Sequence, residues 1–264
     1  MDHKGNVWIG GNGRGDSHIL KFTNDGTFIA QYGTPGINEP DSNDTTRFSR
    51  VAKISVVADT NEAFIADGYG NRRIAVLDAD TGEFKRYWGA YGEKNIVDPT
   101  ERYRHDPSTP PSRTFTGPVH CVEPSNDGLI YVCDRTSDRI QVFDRDGNYK
   151  SEVLIAEETG SQGSTWDLDF SRDADQKYIY LADGQNQRVH ILLRETLDVL
   201  TMFGGGGRQP GLWFAPHSIA TDSKGNIYTT ETYEGKRIQK FIYQGVKDIP
   251  AKDQGVLWPA GELN

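Results

Sequence analysis

A chain of 264 residues carrying 38 acidic against 29 basic side chains has a net charge of −9 and a pI near 5.2, which argues against the basic surface that nucleic-acid or anionic-membrane binding requires. Only 35% of residues are hydrophobic and mean hydropathy is −0.65, which suits many thin layers better than one deep core; 29 glycines, 12 prolines, five Trp, twelve Tyr and eleven Phe point to short strands joined by tight turns. No apolar run is long enough to insert in a membrane, and the opening MDHKGNVWIGG has neither the basic nor the apolar region of a secretory signal.

In chain order, DHKGN reads as a turn and WIGG and HILKF as strands of a worn first unit, with Gly11 and His18 at its anchor positions. A loop at 34–47 leads to KISVV, AFIAD and RIAVLD, and a longer loop at 90–114 leads to VHCVEP, IYVCD and RIQVFD. The pattern of acid, polar turn and arginine recurs as Asp67/Arg73, Asp134/Arg139, Asp183/Arg188 and Glu231/Arg237, with arginine steps of 66, 49 and 49 residues. One unit of about 49 residues is therefore stacked repeatedly, and Asn, Asp and Gly turns divide each into four antiparallel strands, a propeller blade. Counting back from the aromatic residue of the second strand puts Lys53, His120, Trp166 and His217 at one inner-strand position, 11 residues away in three blades and 14 in the fourth. The same count for the first blade falls before Met1, and DHKGN matches DSKGN at 222–226, so that blade is expected to lack its innermost strand. The expectation is an all-β propeller of about five blades in a single domain over 1–245. A tail over 246–264 would follow it, with a closing strand at 255–259. The start at Met1 reads equally as native or as truncated.

The two long loops share a face with GYGN (68–71), so a site for a small-molecule or peptide ligand is expected there, at the mouth of the central channel. The repeated acid–arginine pair reads as a structural clamp. His120 and His217 hold equivalent inner-strand positions and suit either a metal such as zinc or water-bonded channel walls. Tyr69 suits a base beside a metal, or a tyrosine packed on the next blade. Lys53 reads as a solvated channel lysine. Cys121 and Cys133 lie on consecutive strands, close enough to bridge, but are expected as two buried thiols. The run GGGG (204–207) lacks the strand–glycine–helix setting of a phosphate cradle.

The segments DGYGNRRI, GPVHCVEP and APHSIATD resemble the NHL-repeat family of six-bladed propellers, and more narrowly the bacterial relatives of peptidyl-alpha-hydroxyglycine alpha-amidating lyase, over roughly residues 5–245. The resemblance implies zinc held by three channel histidines, two of them matching His120 and His217, with Tyr69 matching the proposed base. The third histidine and an assisting arginine belong to segments before Met1. Calcium deeper in the channel is also implied, weakened by Ser218 where the family tends to carry Asp. The implied reaction is zinc-assisted cleavage of a peptidyl-alpha-hydroxyglycine to an amide and glyoxylate, in a secreted or periplasmic setting. With two ligands, this chain is not expected to be a competent lyase by itself. The alternative is a non-catalytic scaffold that binds a protein, peptide or glycan through the loop face. A sugar-lactone hydrolase is disfavoured, because such sites rely on inward Glu, Asn and Asp. Oligomeric state is left open.

Overall fold

The computed structural model describes residues 1–37, 39–98 and 105–246, so the expected closing strand at 255–259 lies outside the described residues. Eighteen strands among them form five antiparallel sheets, each in simple sequence order, arranged as a five-bladed β-propeller. Blade 1 holds β1 (Val7–Gly10), β2 (His18–Phe22) and β3 (Phe28–Gly33). Blade 2 holds β4 (Lys53–Val57), β5 (Glu62–Asp67), β6 (Arg73–Asp78) and β7 (Phe84–Trp88); blade 3 holds β8 (Val119–Pro124), β9 (Leu129–Asp134), β10 (Arg139–Asp144) and β11 (Tyr149–Leu154). Blade 4 holds β12 (Asp167–Phe170), β13 (Tyr178–Asp183), β14 (Arg188–Leu193) and β15 (Val199–Phe203); blade 5 holds β16 (Pro216–Thr221), β17 (Ile227–Glu231) and β18 (Ile238–Phe241). Among the described residues blade 1 has no inner strand, as the sequence implies.

The turns explain why the strands fold back where they do. Asp2 accepts from the backbone N–H groups of Lys4 (3.0 Å) and Asn6 (2.8 Å) and from the Asn6 amide (3.0 Å). Asp222 does the same with Lys224 and Asn226, and Asp144 with Asp146 and Asn148. One Asp-x-x-Gly-Asn segment thus serves as a self-bonded turn in three places, with the glycine at positive φ each time (+84° at Gly5, +80° at Gly225, +83° at Gly147).

Apolar side chains pack in four layers between successive blades rather than in one core. Ile19 and Phe48 meet Ile65 between blades 1 and 2, and Phe64 and Trp88 meet Phe115 and Phe143 between blades 2 and 3. Tyr131 and Ile140 meet Leu168 and Phe170 between blades 3 and 4, and Tyr180 and Val189 meet Trp213 and Ile219 between blades 4 and 5. Each fully buried side chain of this size contributes about 2–3 kcal/mol. The central strands β5, β6, β9 and β10 are covered on both faces and read as continuous buried runs. By contrast β18 alternates, with Ile238 72% exposed.

The inner-strand register corrects one expectation. In blades 3 and 5 the ladder carries a β-bulge: Val119 pairs with Asp134 and Cys121 with Cys133, while Pro216 pairs with Glu231 and Ser218 with Thr230. His120 and His217 are the extra residues. The inner ladders of blades 2 and 4 run without a bulge, and Lys53 pairs with Ala66 and Asp167 with Ala182. Lys53 is therefore in register with Cys121 and Ser218, not with the histidines.

Candidate functional site

A bulge bends its strand and re-aims the extra side chain, and here it turns two imidazoles inward from blades 3 and 5. Their ring centroids lie 4.7 Å apart, with Trp166 of blade 4 packed on both at 5.9 and 5.5 Å. Tyr69 reaches the same point from the connection between β5 and β6. The three residues singled out from sequence, Tyr69, His120 and His217, thus converge at the channel mouth, although they come from blades 2, 3 and 5.

The hydrogen bonds assign the proton positions. His120 Nδ1 lies 2.5 Å from the Trp166 carbonyl, which can only accept, so Nδ1 carries the hydrogen. Nε2 is then a bare acceptor, and the Tyr69 hydroxyl, 2.9 Å away, donates to it. Burial holds His120 well below the usual imidazole range; Arg135, His217 and Lys53 add to that, against the Trp166 carbonyl. His217 is also lowered by burial, with Asp167 opposing. Burial raises Tyr69 while Arg135 opposes it, so the phenol keeps its proton. Arg135, just past the end of β9, stacks over Trp166 at 4.6 Å and over Tyr69 at 5.7 Å, and its Nη1 points at the Tyr69 oxygen at 3.5 Å. Its side chain also donates to Gln162, which accepts from Tyr233 of blade 5 as well. Sequence reasoning missed Arg135, although it directly follows the repeated acid Asp134.

The histidines also line a channel cavity of about 330 Å³ together with Lys53, Glu123, Asp167, Asp169 and Ser218. The expectation of a solvated Lys53 is overturned: its ammonium lies 2.6 Å from Asp167, 2.8 Å from Glu123 and 3.3 Å from the Leu168 carbonyl. Burial disfavours the charge, but Asp167 and Glu123 outweigh it and raise the lysine. Burial raises Glu123 despite Lys53 beside it. The ammonium stitches blades 2, 3 and 4, and Asp167 extends the link to blade 5 by accepting from Ile219 N at 3.1 Å.

The implied metals fit these residues poorly. Among the described residues no three His, Cys, Asp or Glu side chains are grouped to hold an ion, a catalytic zinc needs about three protein ligands, and the Tyr69 hydroxyl already engages the His120 lone pair. The channel carboxylates that would attract calcium hold Lys53 instead.

Two further expectations change. Cys121 and Cys133 form a disulfide instead of standing as free thiols, because the bulge makes them direct cross-strand partners with Cα atoms 4.8 Å apart. The acid–arginine clamp forms in blade 2 (Asp67–Arg73, 2.9 Å), blade 3 (Asp134–Arg139, 2.7 Å) and blade 5 (Glu231–Arg237). In blade 4 Asp183 instead bonds His190 at 2.9 Å.

No family model matches the chain. It is 28% identical over 250 residues to NHL repeat-containing protein 3 of Mus musculus and, equally, of Homo sapiens; the match covers 89% of this chain but 62% of those proteins. The chain thus spans less than two thirds of the length of these relatives. A catalytically inactive form of virginiamycin B lyase from Staphylococcus aureus, with quinupristin, superposes with a TM-score of 0.55 at 15% identity, over 92% of this chain and 68% of that one. The Cps50 (Swd1) β-propeller domain of Myceliophteria thermophila gives 0.52 at 11% identity, over 98% and 70%. These likenesses are of fold. No helix among the described residues is long and apolar enough to cross a membrane.

Proposed function

Starting from a chain that is an NHL-repeat β-propeller, we propose that its channel mouth is a lyase-like site for a peptidyl-alpha-hydroxyglycine. The observation that carries this reading is the contact between Tyr69 and the bare Nε2 of a neutral, buried His120. Such a pair is a proton relay. Tyr69 takes the proton of the carbinol hydroxyl as its own passes to His120 Nε2. The carbon–oxygen bond becomes a carbonyl while the carbon–nitrogen bond breaks, and its electron pair goes to nitrogen. The proton returns through Tyr69 to that nitrogen, leaving an amide and glyoxylate with no other reactant consumed. The Arg135 guanidinium beside Tyr69 supplies the positive charge that the substrate carboxylate and the developing negative charge call for. The residues described do not complete a zinc site.

The test is glyoxylate release from an N-acyl-alpha-hydroxyglycine above the spontaneous rate. Tyr69→Phe is expected to lose about 10²–10⁴-fold of it, the usual worth of acid–base help. Zinc content, measured alongside, decides whether a metal takes part. If the purified chain binds this substrate but releases no glyoxylate, the lyase reading falls and the scaffold reading takes its place. The buried Cys121–Cys133 disulfide supports a secreted or periplasmic setting.

A further inference from the structure

We infer that the Cys121–Cys133 disulfide is a positioning device of the channel mouth, a covalent lock on the bulge that turns His120 inward. The cross-link joins the ladder rung directly beside the bulge. A bulge is where a ladder can slip, and a slip of one residue reverses which face a side chain occupies. Moving this bulge by one place would make Cys121 the extra residue and swing the imidazole away from Tyr69. The bond blocks that slip because it fixes Cys121 opposite Cys133.

General stabilisation accounts for the bond less well. Its cysteines are 12 residues apart on strands already hydrogen-bonded to one another, and closing a short loop constrains the unfolded chain less than closing a long one would. Both cysteines are fully buried, so the pair is not placed for exchange with thiols in solution. The bond also sits between two groups of the site: Cys121 follows His120, and Cys133 lies two residues before Arg135.

Blade 5 provides an internal comparison. The same bulge occurs at His217, with Ser218 and Thr230 on the rung where blade 3 has its cysteines. His120 is 4% exposed and held at both ring nitrogens. His217 is half-buried, and its Nδ1 makes only a long 3.3 Å contact with Ser218 Oγ.

This inference rests on Tyr69 and His120 being the working pair, and the experiment separates the two ideas. Cys121→Ser with Cys133→Thr gives blade 3 the rung that blade 5 already has. Nitrogen NMR of the imidazoles above neutral pH reads the tautomer directly. The parent protein is expected to show His120 wholly as the Nδ1–H form; the variant, folded by circular dichroism, is expected to show mixed tautomers and a loss of turnover of about tenfold to a hundredfold, the range of a small misplacement. Unchanged His120 signals overturn the lock, whatever the turnover. Changed signals with no turnover in either protein keep the lock and sink the lyase reading. Should the variant not fold, Ser218→Cys with Thr230→Cys is expected to form a second disulfide and narrow His217 to one tautomer. Cysteines that stay reduced under oxidised glutathione, or a bridge that leaves His217 unchanged, overturn the inference.

Discussion

Blades 3 and 4 share one signature, an acid followed five residues later by arginine, but wire it differently. In blade 3, Asp134 accepts from Thr116 N at 3.0 Å and from Arg139 at 2.7 Å, and Arg139 also donates to the carbonyls of Ser112 and Thr114. Acid and arginine together grip the loop arriving from blade 2. Blade 2 repeats this with Arg73 on the carbonyls of Ser42, Asp44 and Arg47, and blade 5 with Arg237 on those of Gly207, Arg208 and Leu212. In blade 4, Asp183 turns to Asn186 of its own turn and to His190, while Arg188 reaches Asn186 O and the Met202 sulfur. His190 lies two residues beyond Arg188, on the same strand face, and takes the carboxylate first. The loop into blade 4 is held from blade 3 instead: the Asp138 backbone carbonyl accepts from Ile155 N at 2.7 Å, and its side chain accepts from Ser164 N at 2.6 Å. The loops into blades 2 to 5 are each pinned, but the pin need not belong to the blade receiving it.

The largest expected effect breaks this comparison if it fails. Arg139→Ala takes the arginine away from the Asp134 carboxylate in a site with 0% exposure and is expected to cost about 3–5 kcal/mol, as for other broken buried pairs. Arg188→Ala removes no carboxylate partner and is expected to cost under about 1 kcal/mol. Denaturant midpoints of the two variants decide it; equal losses would mean that Arg188 also clamps.

The next effect tests the substitute pin. Burial raises the Asp138 carboxyl to about 7, well above the usual carboxylate range, and among the described residues its second oxygen is buried without a partner. The unfolded chain therefore ionises this group near pH 4 while the folded chain keeps its proton, so stability is full below that point, falls as pH rises towards about 7 and is level above. Asp138→Asn keeps the acceptor for Ser164 and suits the left-handed backbone at this position (φ 54°). It is expected to gain ~2 kcal/mol at pH 8 and almost nothing below pH 4. A loss of equal size at both would show that the carboxylate is needed as an ion.

The repeat, the strand boundaries, the headless first blade and the meeting of Tyr69, His120 and His217 are legible in the sequence because period, turn chemistry and stacking encode them locally. The register is not. Ser55 faces Phe64 nine residues on, while Glu123 faces Tyr131 eight residues on; the extra turn residue of blade 2 cancels the bulge of blade 3, and both counts come to eleven. That cancellation aligned Lys53 with His120 and hid the pairing of Cys121 with Cys133. Partners of Lys53 lie 70 and 114 residues away on other blades, a distance at which no local pattern signals an ion pair. Arg135 escaped notice for a related reason: its neighbours Tyr69 and Trp166 join it only through the ring.

The smallest effect sharpens the account of why blade 4 differs. If His190 displaces Arg188 from Asp183, then His190→Gln gives blade 4 the residue found at this place in blades 3 (Gln141) and 5 (Gln239). Gln239 shows the outcome: its amide donates to Glu231 at 3.1 Å while Arg237 pairs with the same carboxylate. The substitution itself is expected to cost less than about 1 kcal/mol, since an amide donor replaces an imidazole donor. Its consequence is coupling. Arg188→Ala, nearly silent in the parent, becomes costly in the Gln background, with an interaction energy of about 0.5–3 kcal/mol in a double-mutant cycle. A cycle that closes to zero would show that the arginine stays away from Asp183 for a reason other than His190, and the backbone of the turn at Gln187, at positive φ, would be the next place to look.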